Sequence, residues 1–374
     1  MTRNIQKDNA NSPEVRRCVR CIMPENYPGI TFNSEGVCSF CQYFDDKWGS
    51  WVNSIEEQRR TEAKLRGIFE AAKRKKRPYD AIIGISSGKD SSYCLYLCKE
   101  VYGLNVLTFT KQSCFLTDEA VTKIDRLVKI FDVPHIYYHD PLSPELAAIF
   151  LRKTGNLCTA CELSAFNTTA VLARDYNIPI IVLGNSSRTE ASVPKSLNPW
   201  DTFFFNNVMK GEGYRERIRD SFYRHNYLVS EGIRQLLGLR RIVLLPDYVE
   251  WDEEKIADLF KSKYNYEFGA EHGDCWAHEV ANYLFQKKCH GVHPRVAKCS
   301  MLVRSGKMTR EEAMSAISDI EEGKEIPGLD RFLKVCGMTE DEFHAASEKN
   351  PQPYIKGLSQ LINFLRRKIR RQVA

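Results

Sequence analysis

The most constraining feature of this sequence is the stretch from Tyr79 to Leu97, which reads YDAIIGISSGKDSSYCLYL. A short apolar run, Ala81 to Ile85, passes into a turn of small residues and then into a helical pattern. This order predicts a buried strand, a turn and a helix start, where backbone N–H groups and the helix dipole favour a bound anion. The turn is too short for a Walker loop, and the stretch lacks a GxGxxG dinucleotide fingerprint.

The turn Ser86-Ser87-Gly88-Lys89-Asp90-Ser91 resembles the SGGxDS loop of the ATP-pyrophosphatase (PP-loop) family. Those enzymes split ATP between the α and β phosphates and adenylate a substrate oxygen. The resemblance implies that ATP phosphates bind at Ser86, Ser87, Gly88, Lys89, Asp90, Ser91 and Ser92, with catalytic roles for Lys89, Asp90 and Ser91. Ser87 stands where the family usually has glycine, so a positive φ there would strain the backbone. The alternative interpretation is an ordinary strand-to-helix turn rich in small residues.

Further along the chain, strand and helix patterns alternate. Strands are predicted over 79–85, 104–109, 135–138, 178–183 and 242–245, and helices over 91–101, 117–131, 143–152 and about 160–176. This alternation predicts an α/β fold with a parallel sheet and helices on both faces, and the resemblance implies the PP-loop (adenine nucleotide alpha hydrolase-like) class. The C-terminal third is expected to be mostly α-helical, with capping boxes at Thr309/Glu312 and Thr339/Glu342.

Ligands of such sheets bind at the carboxyl ends of the strands. The segments Thr108 to Thr110 and Leu183 to Ser187 are therefore expected to lie beside the PP-loop after their strands. Phe109 could stack on adenine or belong to the core, and Gly184 and Asn185 are candidates for binding ATP.

Thirteen cysteines, an odd number partly in CxxC pairs, favour metal ligands in a reducing cytoplasm over a disulfide scaffold. Cys18 and Cys21 form one pair, and Cys38 and Cys41 form a second after sixteen residues. This spacing is typical of a structural zinc ribbon with a closed tetrahedral shell. A redox CxxC pair is the competing interpretation, although redox motifs rarely come doubled.

The ribbon's motifs CxRCxMP, PGITF and GVCxxC resemble the opening of the N-acetyl sugar amidotransferases of bacterial surface-polysaccharide synthesis. That family joins such a ribbon to a PP-loop domain. The resemblance implies a ribbon over 1–54, a PP-loop domain over 55–250 and an α-helical region over 251–374. It also implies ATP, Mg²⁺, a nucleotide-activated N-acetyl sugar, a separate glutaminase and a cyclase-like ammonia-channel protein, in synthesis of lipopolysaccharide O-antigen or a related glycan.

A third CxxC, Cys158 and Cys161, is predicted to open a helix, where the dipole lowers a thiol pKa. Cys275 could supply a further ligand. Three interpretations stay open: a second zinc, an iron–sulfur cluster like that of some PP-loop sulfur-transfer enzymes, or thiols that only pack. Cys94 and Cys98, four residues apart on a helix, are expected to face a core and to be inert.

Residues 185–228 are predicted to be a long irregular loop that forms a substrate lid or pocket wall. Its candidates for a sugar or its diphosphate are Arg188, Asn198, Trp200, Arg215 and Arg217. In the alternative interpretation, Phe203 to Phe205 anchor a strand or a helix. Residues 1–13 are expected to be disordered, and LINFLRRKIRRQ near the C-terminal end to be an amphipathic basic helix.

Composition excludes several classes of protein. No apolar run is long enough to span a bilayer, and the polar start is not typical of a signal peptide. The net charge of +6 allows an anionic ligand without indicating nucleic acid. Because the second residue is Thr2 and no GxCxG-type elbow occurs, the sequence is not expected to hold its own cysteine glutaminase.

The sequence therefore supports one main functional hypothesis and two competitors. The first is an ATP-dependent amidotransferase that converts an acetamido group on a nucleotide-activated sugar into an acetamidino group. The second is sulfur transfer to tRNA or a small molecule through Cys158 and Cys161. The third is a zinc-ribbon scaffold with a relic nucleotide loop, which the intact Lys89-Asp90-Ser91 disfavours.

Overall fold

The computed structural model describes residues 15–189, 197, 199, 201–213, 216, 218, 221, 223, 227–269, 272–320 and 325–361. Several predictions fall outside these residues. They are the disorder of residues 1–13, the basic helix beyond residue 361, and the candidates Asn198, Trp200, Arg215 and Arg217.

A five-stranded parallel sheet forms the centre of the chain, as the alternation predicted. The strands are β1 (Ala81–Gly84), β2 (Val106–Gln112), β3 (His135–His139), β4 (Ile180–Leu183) and β5 (Arg241–Leu244). Their order is β3-β2-β1-β4-β5, and every neighbouring pair is parallel. β1 lies in the middle, which suits a strand whose residues on both faces are apolar.

Fourteen α-helices lie within the described residues. They are α1 (Ser39–Val52), α2 (Ile55–Lys73), α3 (Lys89–Tyr96), α4 (Asp118–Phe131), α5 (Ser143–Thr154), α6 (Cys158–Asp175), α7 (Thr202–Met209), α8 (Tyr227–Leu236), α9 (Glu253–Tyr264), α10 (His278–Lys288), α11 (Pro294–Arg304), α12 (Arg310–Ser315), α13 (Leu329–Cys336) and α14 (Glu340–Ser347). The described residues after β5 are mostly helical, and both predicted capping boxes are present.

Helices cover both faces of the sheet, which confirms the predicted fold class. On one face, Ile83 packs with residues of α2, α3, α4 and α9. On the other face, Ile82 and Leu107 pack with residues of α6. Cys94 and Cys98 lie in the first of these cores with no exposed surface, and burial raises the pKa of both thiols.

The predicted end of the second strand was wrong in a way that affects the site. β2 continues to Gln112, because Thr110, Lys111 and Gln112 pair with Tyr137, Tyr138 and His139 of β3. The segment from Thr108 to Thr110 therefore lies within the strand and not after it.

The prediction of irregular structure throughout residues 185–228 was also wrong, since α7 lies inside that range. Asp201 caps this helix by accepting from the Phe204 N–H at 2.8 Å, and Phe204 and Phe205 are fully buried. The alternative interpretation, in which the phenylalanines anchor a helix, is the correct one.

The cysteine ribbon shares a core with the C-terminal helices. Its buried residues pack with Val296 of α11, Ala313 of α12 and Ile317. α1 begins directly after Cys38, and the indole N–H of its Trp48 donates to the hydroxyl of Ser187, beyond β4, at 3.3 Å. Among the described residues, no helix is both long and apolar enough to cross a membrane.

Candidate functional site

The PP-loop joins the carboxyl end of β1 to the first turn of α3. The Ile85 N–H bonds to the Phe109 carbonyl oxygen at 2.8 Å, so the loop begins in register with β2. The Ser86 N–H donates to Ser91 Oγ at 3.2 Å, which ties the two ends of the loop together. The hydroxyls of Ser91 and Ser92 both donate to the Gly88 carbonyl oxygen, at 3.1 and 2.9 Å. These bonds give the loop a fixed shape around the first turn of α3.

Ser87 adopts the left-handed conformation, with φ of +67°. The sequence raised this question because the family usually has glycine here. Ser87 is buried, and its carbonyl oxygen accepts from the Tyr266 hydroxyl at 3.4 Å. A side chain at such a φ costs roughly 1 kcal/mol or more, because Cβ comes close to the following carbonyl oxygen.

We expect Ser87→Gly to raise the free energy of unfolding by about 1 kcal/mol, since glycine adopts this φ without the steric cost. Urea denaturation of both proteins would measure the change. Ser86→Gly is the matched control, because Ser86 is not among the positive-φ residues and its hydroxyl lies 3.4 Å from Ser91 Oγ. We expect this control to lose stability. A less stable Ser87→Gly protein would contradict the assignment of strain to Ser87.

The charged residues of the loop are held by the chain that follows β5. The Trp251 indole N–H donates to Asp90 Oδ1 at 2.7 Å. Lys89 Nζ lies 3.1 Å from Glu253 Oε2. Trp251 is 5% exposed and packs edge-on against Tyr93 of α3. The Asp90 carboxylate therefore has one oxygen fixed by a neutral donor, while the Lys89 ammonium is paired with a carboxylate near the surface.

A cavity of about 140 Å³ lies beside the loop at the carboxyl edge of the sheet. Its walls include Ser91, Phe109, Phe166 and Gly184. Phe109 is only 4% exposed, and a Cβ added to Gly84 would come within 3.2 Å of its ring. The ring therefore belongs to the core and also presents a surface to the cavity.

Position 184 requires glycine, because the end of β4 lies very close to the PP-loop. A Cβ at this position would lie 3.2 Å from the Cβ and carbonyl oxygen of Asp90. Asn185, the next residue, is exposed. Of the residues predicted to bind ATP, the structure thus brings Ser91, Phe109 and Gly184 together around one cavity, and it places Asn185 outside its wall.

The four cysteines of the two N-terminal CxxC pairs converge in a buried cluster. All four are 0% exposed, and their sulfur atoms lie within 4.8 Å of one another. The Cys18–Cys41 and Cys21–Cys38 sulfur distances are 3.9 and 3.7 Å. Four sulfurs bound tetrahedrally to one zinc would be about 3.8 Å apart, given Zn–S bonds of about 2.3 Å. The donor set and its size therefore fit a metal ion with four thiolate ligands.

Arg188, a predicted candidate for the sugar diphosphate, is buried instead. It is 6% exposed, its guanidinium lies 4.0 Å from the centre of the Trp51 ring, and it donates to the Val249 carbonyl oxygen at 2.7 Å. Burial lowers its pKa to about 10. Ser187 next to it accepts from Lys47 at 2.8 Å. This contact fastens α1, and with it the ribbon, to the segment that follows β4.

The third CxxC lies next to a buried polar network at the ends of β2 and β3. Lys111 Nζ donates to Cys161 Sγ at 3.1 Å and lies 3.3 Å from Asp140 Oδ2, which also accepts from the Tyr223 hydroxyl at 2.6 Å. Burial by itself would lower the pKa of Lys111, but Cys161 and Asp140 raise it above its ordinary value. The ammonium therefore stays charged beside Cys161 Sγ and the Asp140 carboxylate.

The predicted effect of the helix dipole on Cys158 was wrong. α6 does begin at Cys158, but burial raises the pKa of this thiol well above its usual range. Burial also raises the pKa of Cys275 to about 12. Within the described ranges, the N-terminal four are the only cysteine set whose sulfurs all lie within 4.8 Å, so Cys158, Cys161 and Cys275 do not form such a cluster.

Sequence reasoning missed Trp251, Glu253, Lys111 and Asp140. Lys111 and Asp140 follow the core residues of β2 and β3, so their positions at carboxyl strand ends could have identified them. Trp251 and Glu253 are about 160 residues from the loop they contact. A single sequence contains no local pattern that would pair them with it.

A comparison with protein-family models finds a match to residues 251–366. Its description is LPS biosynthesis protein WbpG-like, C-terminal domain. This part of the chain is similar to the C-terminal domain of WbpG-like LPS biosynthesis proteins. The match supports the resemblance that the ribbon and the PP-loop motifs carry, and we call residues 251–366 the WbpG-like domain. Trp251 and Glu253 lie at its first residues.

The other two comparisons give no match among curated proteins and only distant matches among solved structures. Among solved structures, NMN synthetase from Francisella tularensis aligns with a TM-score of 0.35 and 12% identity, over 76% of this chain and 95% of its own. The U34-tRNA thiolase NcsA from Methanococcus maripaludis, solved with its [4Fe-4S] cluster, aligns with a TM-score of 0.38 and 12% identity, over 88% of this chain and 98% of its own. At these TM-scores neither likeness bears on the reaction of this protein.

Proposed function

We propose that this protein is an ATP-dependent amidotransferase acting on a nucleotide-activated N-acetyl sugar. ATP would adenylate the acetamido oxygen, forming an O–P bond to the α phosphate and releasing pyrophosphate. Ammonia would then add to the imidate carbon, and AMP would leave with the former amide oxygen. The product is an acetamidino group, in which NH replaces O.

One observation carries the proposal: side chains of the WbpG-like domain contact the PP-loop directly. Trp251 holds Asp90 and Glu253 pairs with Lys89, so residues from a domain of LPS biosynthesis contact the charged residues of the loop. A relic loop would have no need of this contact. In a nucleotide-using enzyme of polysaccharide synthesis, a domain attached at the loop would bring the sugar substrate beside the phosphates.

The residues of the loop have distinct proposed roles. Backbone N–H groups of the loop and the helix N-terminus would bind the β and γ phosphates, and Lys89 would stabilise charge on the leaving pyrophosphate. Ser86 to Ser92 form this cradle, in which Ser91 fixes the shape that Ser86 and Gly88 adopt. Adenine would enter the cavity between Phe109 and Gly184, with Asn185 at its edge.

Metal ions have separate places in this proposal. Asp90 is the carboxylate that would bind Mg²⁺, which when present shares the negative charge of the phosphates. Zinc at Cys18, Cys21, Cys38 and Cys41 would be structural, because four thiolates leave no open position.

Ammonia would come from a separate glutaminase through a cyclase-like channel protein, as the sequence resemblance implies. We place the reaction in the cytoplasm, where ATP and nucleotide sugars are available. Each of the three proposed regions would supply one part of the enzyme. The ribbon over 1–54 would hold the structural metal, and the PP-loop domain over 55–250 would bind the nucleotide. The helical region over 251–374 would make the contacts that cover the nucleotide site.

We expect AMP and pyrophosphate release to depend on a UDP-linked 2-acetamido sugar when the protein receives ATP, Mg²⁺ and ammonium. The sugar product should be about one mass unit lighter than the substrate, since NH replaces O. Release of AMP can be followed by chromatography and the product by mass spectrometry. Nucleotide sugars without the acetamido group are the matched control and should give no AMP above background.

Sulfur transfer is the second candidate, favoured by the bond from Lys111 to the Cys161 thiol at 3.1 Å. In sulfur transfer a cysteine sulfur acts as the nucleophile. Under this alternative, AMP release would require a sulfur donor with tRNA or a small acceptor, and acetamido sugars would have no effect. That result would replace the amidotransferase proposal.

A further inference from the structure

Glu253 lies between two lysine side chains from distant parts of the chain. Its Oε2 atom is 3.1 Å from Lys89 Nζ and 3.6 Å from Lys298 Nζ. The side chains of Lys89, Lys298 and Glu253 are 20%, 30% and 37% exposed, so an anion from solvent can reach them. One carboxylate oxygen shared by two ammonium groups occupies a place that a phosphate oxygen would also fit.

The two lysines are brought together by packed elements. Lys89 begins α3 at the PP-loop, whereas Lys298 lies on α11 of the WbpG-like domain. Lys307, after the end of α11, pairs with Asp252, which caps α9 by accepting from the N–H groups of Glu254 and Lys255. The helix that carries Lys298 is therefore tied to the helix that carries Glu253.

The WbpG-like domain also contacts the PP-loop on either side of Lys89. Trp251 donates to Asp90, and Tyr266 donates to the Ser87 carbonyl oxygen at 3.4 Å. Lys298 thus sits at a surface whose position relative to the loop is fixed by several contacts. A cation held in this way can act on charge at the loop without a large rearrangement.

We propose that Lys298 is a second cationic ligand for the pyrophosphate group at the PP-loop and that Glu253 occupies this position until the nucleotide binds. This inference rests on the proposed function, in which the loop binds ATP. When the polyphosphate arrives, its oxygens replace Glu253 Oε2 at both ammonium groups, and the carboxylate turns to solvent. The exchange favours polyphosphates, because they carry more charge than the carboxylate they displace.

Binding of inorganic pyrophosphate, measured by calorimetry at constant ionic strength, tests the inference. We expect Lys298→Met to weaken binding by about tenfold, since a charge-assisted contact is lost. Glu253→Gln should strengthen binding by about threefold, because it keeps the shape of the side chain and removes the competing charge. Lys255→Met is the control: Lys255 is exposed, lies on α9 with Glu253 and pairs with Glu250 at 3.0 Å. It should change binding by less than about twofold.

The outcomes separate this inference from the proposed function. If the wild type binds ATP and pyrophosphate and Lys89→Met loses both, but Lys298→Met behaves like Lys255→Met, only the role of Lys298 is refuted. Weaker binding by Glu253→Gln would also refute it. If the wild type binds neither ATP nor pyrophosphate, both proposals fail. Lys298→Arg keeps the charge and should restore most of the affinity, which distinguishes lost charge from a damaged fold.

Discussion

Replacing Asp90 with alanine should lower the rate of AMP formation by about 10³-fold while the protein stays folded. The carboxylate lies in the first turn of α3, and one of its oxygens is fixed by the Trp251 N–H at 2.7 Å. In the proposed mechanism it binds Mg²⁺ beside the phosphates, so its loss removes the charge that places the ion. Sugar-dependent AMP release under saturating ATP, with circular dichroism to check folding, measures the effect.

Two further variants separate charge from position. Asp90→Asn keeps an oxygen that can accept from Trp251 but loses the negative charge, and we expect it to be nearly as inactive as Asp90→Ala. Trp251→Phe keeps the edge-on packing against Tyr93 but removes the indole donor. It should lower the rate by only about tenfold, because the carboxylate remains but is less well oriented. Unchanged turnover in Asp90→Ala would refute the assignment of the loop.

Replacing Cys38 with serine should remove one equivalent of zinc per chain and destabilise the protein by on the order of several kcal/mol. Cys38 Sγ lies 3.7 Å from Cys21 Sγ in a cluster with no exposed surface, so three remaining thiols cannot close the shell. The loss of stability should extend beyond the ribbon, because the ribbon shares its core with α11 and α12. Metal analysis and thermal unfolding of the purified protein measure the two effects.

Cys336→Ser is the matched control for this experiment. Cys336 ends α13, is 8% exposed and lies outside the N-terminal cluster. We expect this variant to keep its full zinc content even if it loses some stability through packing. Full zinc retention in Cys38→Ser would show that the four thiols do not hold the metal. Loss of zinc with unchanged unfolding would refute the structural role.

The Arg188 contacts connect these two predictions. α1 begins after Cys38, and its Trp51 ring lies 4.0 Å from the guanidinium of Arg188, which follows Gly184 closely in the chain. Metal loss at the ribbon should therefore also disturb the segment that follows β4. Because this segment adjoins Gly184, we expect Cys38→Ser to bind ATP more weakly, although Cys38 is not part of the nucleotide site.

Several parts of the structure were determined locally by the sequence. β1, the loop and α3 formed where apolar, small and helical residues follow one another, and the capping box at Thr309 formed because both partners lie within four residues. The pairing of Cys18 and Cys21 with Cys38 and Cys41 could be predicted because CxxC knuckles have a characteristic spacing. In each case the deciding interactions are close in sequence, so their pattern is visible in one chain.

Only the tertiary structure decided what surrounds those local features. Trp251, Glu253 and Lys298 reach the loop because α9 and α11 pack beside it, and no spacing in the sequence encodes that packing. Cys158 has a raised pKa because burial outweighs the dipole of α6, and Arg188 is buried by the tryptophans of α1. Helix starts and metal knuckles depend on neighbours along the chain, whereas burial and contacts between distant residues depend on how all the elements pack together.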